Sequence, residues 1–274
     1  MMVNYDILDT GNEKKIVLLT DVHYYHSKHS QKLDKILTKL KKMDNIDYIC
    51  IVGDTIDVGT FKDMDILITW LTELTKLGIV IMSLGSHDIC YSHKNKAYYY
   101  NEDFYNKVKS IKNLHLLDNE IYEDGKIRFI GLTLPIDFYY KYRENTNYFM
   151  RYVNNTFKEL DKKKYNILLP HTPVPIMNIT EVESVKLLKS TNLVLTGHMH
   201  AGCVPAWLRK IFRGRGIVAP CHEKMFPKYA YGLFKKGDMD VVISTGITKA
   251  SKGSHLEFIG NMYDSEITIV NLLK

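Results

Sequence analysis

Cysteine is scarce in this 274-residue chain. The four cysteines, Cys50, Cys90, Cys203 and Cys221, lack the spacing of a disulfide framework. That argues against a cross-linked secreted scaffold and for a reducing compartment, so the cytoplasm is the expected location. Long apolar runs are absent too. No stretch approaches the roughly 18–20 residues needed to span a bilayer. Residues 1–15 are polar and lack the basic, apolar, small-residue order of a signal peptide. Peripheral attachment is then the remaining route to a membrane. No linker or internal repeat breaks the chain, so residues 1–274 read as one domain. Excess charge is mild. A net +6, carried mostly by lysines on predicted helix faces, is no strong nucleic-acid signal, although it suits phosphates or acidic lipid.

What is present is the composition of a globular α/β protein, 45% hydrophobic and 25% charged. Apolar runs at 16–20, 48–52, 79–84, 165–170 and 193–196 read as buried strands. Leu33, Ile36, Leu37, Leu40 and Met43 recur at helical spacing. Helices are also expected over 61–77, with Gly78 as its stop, and over 97–111, 139–162 and 184–190. Short strands are expected at 114–117, 121–122 and 126–132, with Asp124-Gly125 as a hairpin turn. Periodicity is lost over 201–237, which reads as a long functional loop. Strands at 240–244, 255–259 and 266–272 close the chain. The pattern predicts two sheets packed face to face with helices outside, one sheet mixed and the other partly antiparallel.

Chemistry-bearing residues gather where the apolar runs stop. They are Asp21-Val22-His23, Gly53-Asp54-Thr55-Ile56-Asp57, Gly85-Ser86-His87-Asp88, His171, and Gly197-His198-Met199-His200. Ligands bind beyond strand ends in open α/β sheets because the loops converge there. Asp-x-His offers one hard oxygen and one imidazole nitrogen, a set that suits Mn, Fe, Zn or Co. Asp54 has two oxygens and can bridge two ions. His198 and His200, two apart on a tight loop, can reach neighbouring ions. Taken singly, each cluster is ordinary. An Asp after a strand is often a helix N-cap, the reading given to Asp57. Lone histidines such as His26, His29, His93, His115, His222 and His255 read as surface or hydrogen-bonded core. Cys203 and Cys221-His222 are too few and too irregular for a zinc site and read as free thiols. Cys90, close after Asp88, places a thiol near the clusters. The conjunction of five clusters in this order points to a metal site.

The order Asp-x-His, Gly-Asp-x-x-Asp, Gly-Ser-His-Asp, His, Gly-His-x-His resembles the calcineurin-like metallophosphoesterases. Gly197-His198-Met199-His200-Ala201-Gly202-Cys203 is similar to the Gly-His-Thr-His-Gly-Gly-Gln form of a bacterial single-domain subgroup. Some members of that subgroup are membrane-anchored or act on lipid-linked phosphates. The resemblance implies a four-layered α/β/β/α sandwich and two divalent ions, Mn, Fe, Zn or Ni. It implies Asp21, His23 and His200 at the first ion, Asp54 as the bridge, and His171 and His198 with Ser86 at the second. His87 would contact the substrate phosphate and protonate the leaving group, held by Asp88. The family has Asn where this chain has Ser86, a poorer ligand, so the second ion is expected to bind more weakly. Two such ions lower the pKa of a shared water and supply a hydroxide near neutral pH.

The expected function is a metal-dependent phosphoesterase acting on a phosphorylated small molecule or lipid-linked substrate, whether ester or pyrophosphate. A binding scaffold that kept the fold is the alternative favoured by Ser86; the retained histidines oppose it. A nuclease of the same fold is the third reading, with no added DNA-binding domain to support it. A nucleophilic role for Ser86 lacks the Gly-x-Ser-x-Gly elbow. Residues 207–213 interleave Trp, Ile and Phe with Arg and Lys, a pattern compatible with peripheral membrane contact or with stacking on bases.

Overall fold

The computed structural model describes residues 1–25, 30–57, 63–89, 91–92, 97–98, 101–140, 146–219, 224–248 and 265–274. Twelve strands build its two large sheets. They are β1 (Met2–Ile7), β2 (Lys14–Leu19), β3 (Tyr48–Val52), β4 (Ile79–Ser83), β5 (Leu114–Leu117) and β6 (Ile121–Asp124). Then come β7 (Ile127–Leu132), β8 (Tyr165–Pro170), β9 (Leu193–Thr196), β10 (Gly232–Lys236), β11 (Met239–Ile243) and β12 (Ile267–Leu272). The first sheet runs β1-β12-β2-β3-β4-β5, parallel throughout except for β12 against β2. The second runs β10-β11-β9-β8-β7-β6, parallel in its middle and antiparallel at both edges. Both sheets are therefore mixed, in keeping with the four-layered sandwich expected from the sequence.

The central strands are apolar at nearly every position because both of their faces are covered. Alternation then decides which residue faces which layer. Leu18, Cys50, Val52 and Ile81 point from the first sheet toward Phe129, Ile167, Leu195 and Val242 of the second. Val17, Ile49 and Val80 point the other way, against Leu33 and Ile36 of α1 (Ser30–Leu40) and Leu67, Trp70 and Leu71 of α2 (Met64–Leu74). Phe104 and Val108 of α3 (Glu102–Lys109) join that layer. Asn101 caps α3 by accepting from the Phe104 N–H at 3.0 Å. On the far side of the second sheet, Leu168, Val194 and Val241 pack on α5 (Thr146–Thr156) through Phe149 and Val153. The result is four layers, α/β/β/α. Each large aliphatic side chain so buried contributes about 1.5–3 kcal/mol. Burial also pushes the Cys50 thiol pKa up, which keeps it an unreactive core residue.

Several elements differ from the sequence expectation. β1 was not expected, because its residues alternate exposed and half-buried along a sheet edge. The helix expected over 97–111 covers only Glu102–Lys109, and Ala97–Tyr98 instead pairs with Tyr91–Ser92. The helix expected over 139–162 is two pieces, α4 (Asp137–Tyr140) and α5. The helix expected over 184–190 is α7 (Lys186–Ser190), entered from a 3-10 turn at Val182–Ser184, and α6 (Val174–Asn178) is additional. The long segment 201–237 carries α8 (Arg209–Phe212) and the edge strand β10. The β6–β7 hairpin turns at Gly125-Lys126, one residue later than expected, with Gly125 at φ +56°. The strand expected at 255–259 lies outside the described residues, as do His26, His29, His93, Cys90, Cys221, His222 and His255. Among the described residues no helix is long and apolar enough to cross a membrane.

Candidate metal centre

The parallel strands of both sheets deliver their C-terminal ends to one seam. Beyond β2, β3 and β4 come Asp21, Asp54 and Ser86; beyond β8, β9 and β11 come His171, His198 and the segment 244–248. One further ladder bond ties down each exit. Asp21 N–H donates to Gly53 O at 3.2 Å, Gly53 N–H to Ser83 O at 3.1 Å and His23 N–H to Asp54 O at 2.9 Å. Gly197 N–H donates to His171 O at 3.0 Å. The backbone then turns through the left-handed region at Asp21 (φ +54°), His23 (+47°), Asp54 (+51°), His198 (+69°) and His200 (+43°). Non-glycine residues seldom adopt it, and such strain collects at functional sites. Gly53 sits at φ +73°, where a Cβ would lie 2.4 Å from the His171 ring. Only glycine lets the two sheets approach so closely there.

Two carboxylates lie at the centre. Asp21 and Asp54 are 0% and 2% exposed. Asp21 Oδ2 accepts the His198 N–H at 3.1 Å. Asp21 Oδ1 has no hydrogen-bond partner among the described residues. Around that oxygen stand Nε2 of His200 at 3.5 Å, of His171 at 3.7 Å and of His23 at 4.0 Å. These separations are too long for hydrogen bonds and leave room for a cation between them. Asp54 Oδ2 lies 3.0 Å from His171 Nε2 and 3.7 Å from His23 Nε2. Asp54 thus faces both halves of the seam. Ligand atoms of Asp21, His23 and His200 fall within 4.8 Å of one another, as do those of Asp54, His171 and His198, and of His23, Asp54 and His87.

The imidazoles are held by their far nitrogens. His171 Nδ1 meets Val52 O at 3.0 Å, His200 Nδ1 meets Thr248 O at 3.2 Å, and His198 Nε2 meets Tyr139 O at 3.2 Å. A carbonyl only accepts, so each of those nitrogens carries the proton and the other is turned to the centre. That is the usual arrangement behind metal-bound histidine. Burial opposes charge on His171, yet Asp54 and Asp21 outweigh it and push its pKa up to about 9. Burial likewise opposes ionisation of Asp54, but His171, His87 and His23 hold it well below the usual carboxylate range. His23 goes the other way: burial, reinforced by His87, lowers it to about 3 and keeps it neutral. An orphaned oxygen among neutral and exchangeable imidazole nitrogens fits a divalent cation with a taste for mixed N and O ligands.

Ser86 and the third cluster need separate treatment. The Ser86 hydroxyl is buried and donates toward Asp54, 3.3 Å from Oδ1 and 3.2 Å from Oδ2. The next backbone N–H, of His87, donates to Asp54 Oδ1 at 2.8 Å. Asp88 does not hold the His87 ring, contrary to expectation. The turn Gly85–Ile89 folds the Asp88 carboxylate back onto backbone N–H groups: Gly85 at 2.8 Å, Thr55 at 3.1 Å and Ile56 at 3.3 Å. The Tyr105 hydroxyl adds a fourth bond at 2.7 Å. Asp88 therefore ties the second and third clusters together, and burial pushes its pKa up to about 6. The partner of His87 is Asp57, whose Oδ1 is 2.9 Å from Nδ1. Asp57 is not the N-cap of α2, which begins at Met64. An isolated bridge between Tyr24 and Ile56 carries the chain past Asp54 and presents Asp57 to the ring.

This chain belongs to the calcineurin-like phosphoesterase family, whose sequence model matches residues 14–202. It is 28% identical over 262 residues to an uncharacterized metallophosphoesterase of Helicobacter pylori, covering 95% of this chain and 60% of that one. It is 26% identical over 219 residues to an uncharacterized metallophosphoesterase of Campylobacter jejuni, covering 79% and 52%. The chain thus spans little more than half the length of these curated relatives. Among solved structures, a 5'-nucleotidase precursor from Thermus thermophilus matches at 13% identity and TM-score 0.46, covering 85% of this chain and 48% of that one.

The Asp57–His87 contact has a direct spectroscopic consequence. Burial works against charge on His87, but Asp54 and Asp57 together raise its pKa above the ordinary imidazole value. In Asp57→Asn the charged form loses an anionic partner, so the His87 pKa falls. NMR titration of the metal-free protein reads this directly. An unshifted His87 resonance would remove Asp57 from the role given to it.

Proposed function

We propose that this chain is a metal-dependent hydrolase of phosphoric ester or pyrophosphate bonds, with a phosphorylated small molecule or lipid-linked phosphate as substrate. The observation that carries the proposal is Asp21 Oδ1, without a hydrogen-bond partner among the described residues and buried among three imidazole nitrogens at the seam of the sheets. Asp21, His23 and His200 would hold one ion, and His171 and His198, with Ser86 beside them, a second; Asp54 would serve both. Divalent ions bound there supply Lewis-acid polarisation of phosphoryl oxygens and acidify a water. His87 sits at the rim, its side chain 18% exposed. Asp57 occupies Nδ1, so Nε2 is left to face the substrate. From there the ring can neutralise a phosphoryl oxygen and give its proton to the departing oxygen as the P–O bond breaks. Asp88 keeps the Ser86-His87 turn against Asp54 through its four hydrogen bonds.

Asp54→Asn and His87→Gln should each lower hydrolysis of an aryl phosphate diester by about 10²–10⁴-fold, while circular dichroism and thermal melting show both variants folded. The assay covers an aryl monoester, an aryl diester, a nucleotide pyrophosphate and a lipid pyrophosphate, with Mn, Zn, Ni and Mg in turn. No turnover of any substrate with any metal would point instead to a non-catalytic binding scaffold.

For a partner, we propose contact with an anionic lipid surface through 207–213. Trp207 and Ile211, one helical turn apart, are 69% and 72% exposed, and Lys210 and Arg213 beside them are exposed as well. Apolar anchors flanked by cations suit the headgroup boundary. Arg209 is excluded from that role, since its side chain is buried. Co-sedimentation with phosphatidylglycerol vesicles but not with phosphatidylcholine vesicles, lost in Trp207→Asp with Ile211→Asp, is the expected result. Equal recovery of wild type and variant, or binding only to oligonucleotide, would contradict it.

A further inference from the structure

A buried ion pair lies behind the metal centre, and nothing in the chemistry above uses it. Arg209 Nη1 meets Glu266 Oε2 at 2.9 Å, with the two residues 9% and 2% exposed. Arg209 comes from α8 and Glu266 immediately precedes β12, 57 residues away. The guanidinium also lies over the Tyr231 ring, 5.6 Å from its centroid, while the Tyr231 hydroxyl donates to Arg209 O at 2.8 Å. Buried pairs of this kind add little net stability, because desolvation offsets their attraction. Their value is geometric, and here the geometry leads to the centre.

Glu266 turns its other oxygen, Oε1, to the segment after β11. Oε1 accepts the Thr245 N–H at 3.4 Å and lies 2.9 Å from Thr268 Oγ1, itself 3.0 Å from Ser244 Oγ. Glu266 N–H donates to Gly246 O at 3.1 Å. The segment so held lies along the first ligand turn. Ile247 N–H donates to Thr20 O and Thr248 N–H to Asp21 O, both at 2.9 Å, and Thr248 Oγ1 donates to Val22 O at 2.5 Å. Gly246 packs so closely that a Cβ there would come within 3.0 Å of Asp21 Oδ2. Thr248 O is the acceptor that sets His200 Nδ1. Hydrogen bonds relayed along the backbone of 244–248 therefore join Arg209 to the His200 ring and to the main-chain carbonyl of Asp21, two of the three residues assigned to the first ion.

We infer that Arg209 and Glu266 are positioning residues for the first ion. Arg209 fixes the Glu266 carboxylate, and Glu266 fixes 244–248 so that Asp21 and His200 hold their orientation. This rests on the metal centre proposed above. Outer-shell partners of metal ligands are typically worth about tenfold to hundredfold in affinity, and an effect of that size is expected here on one ion and not the other.

Chelator-treated protein is titrated calorimetrically with Mn²⁺. Arg209→Met with Glu266→Leu removes both charges and the acceptor together, which avoids stranding one buried charge; it should weaken one of the two ions by about tenfold or more. Arg209→Met with Glu266→Gln also removes the charges but keeps an oxygen for Thr245 and Thr268; it should recover only part of that affinity, the remainder requiring the Arg209 contact. Glu266→Asp keeps the charges and withdraws the oxygen, and serves if the Leu pair does not fold; it should weaken the same ion. Folded variants that all bind both ions as wild type does would overturn this inference alone. A wild-type chain that takes up no ion would overturn it together with the metal centre.

Discussion

Two buried carboxylates at the seam between the sheets set the terms for everything around them. Removing an ion from water costs several kcal/mol even in a relaxed protein interior, and Asp21 and Asp54 are both almost wholly enclosed. Asp54 is offset by the His87 and Ser86 donors and by the imidazoles beside it. Asp21 is offset only in part, since one oxygen accepts a backbone N–H and the other accepts nothing among the described residues. A cation at that point would complete the compensation, and imidazole nitrogens of His23, His171 and His200 surround it. The same loops that close the seam carry these Asp and His side chains, so an ion bound there would add to the stability of the fold.

The backbone around the seam reflects the same demand. Left-handed conformations at Asp21, His23, Asp54, His198 and His200 would be unfavourable in free loops. They persist because ladder bonds, the Asp88 hub and the 244–248 segment over-determine each exit. The centre is thus held in place by hydrogen bonds from outside the Asp and His clusters as well as within them. Asp57 reaches the centre through the His87 ring, Asp88 through the backbone of the second and third clusters, and Glu266 through the 244–248 segment.

Much of this was legible in the sequence, for identifiable reasons. Tyr48–Val52 and Leu193–Thr196 are covered on both faces, so their apolar runs are unbroken and their ends, where Asp54 and His198 follow, are easy to place. β1 and β10 were illegible because each is an edge strand of mostly exposed and half-buried residues with no unbroken apolar run. Asp57 resembled a helix cap because a helical pattern follows it. Its contact with His87 depends on a bridge to Tyr24 that no local pattern announces. The acceptors that orient the histidines are backbone carbonyls of Val52, Tyr139 and Thr248, which have no sequence signature at all. Arg209 lay within a stretch that looked surface-active, and only the fold reveals its buried partner at Glu266.

The most direct test of the account is the manganese anomalous signal from a crystal of this protein soaked in Mn²⁺. Two peaks are predicted, a strong one within ligand distance of Asp21, His23 and His200 and a weaker one beside His171, His198 and Ser86, with Asp54 between them. A crystal showing no peak at the seam, or peaks only at surface carboxylates, would contradict it.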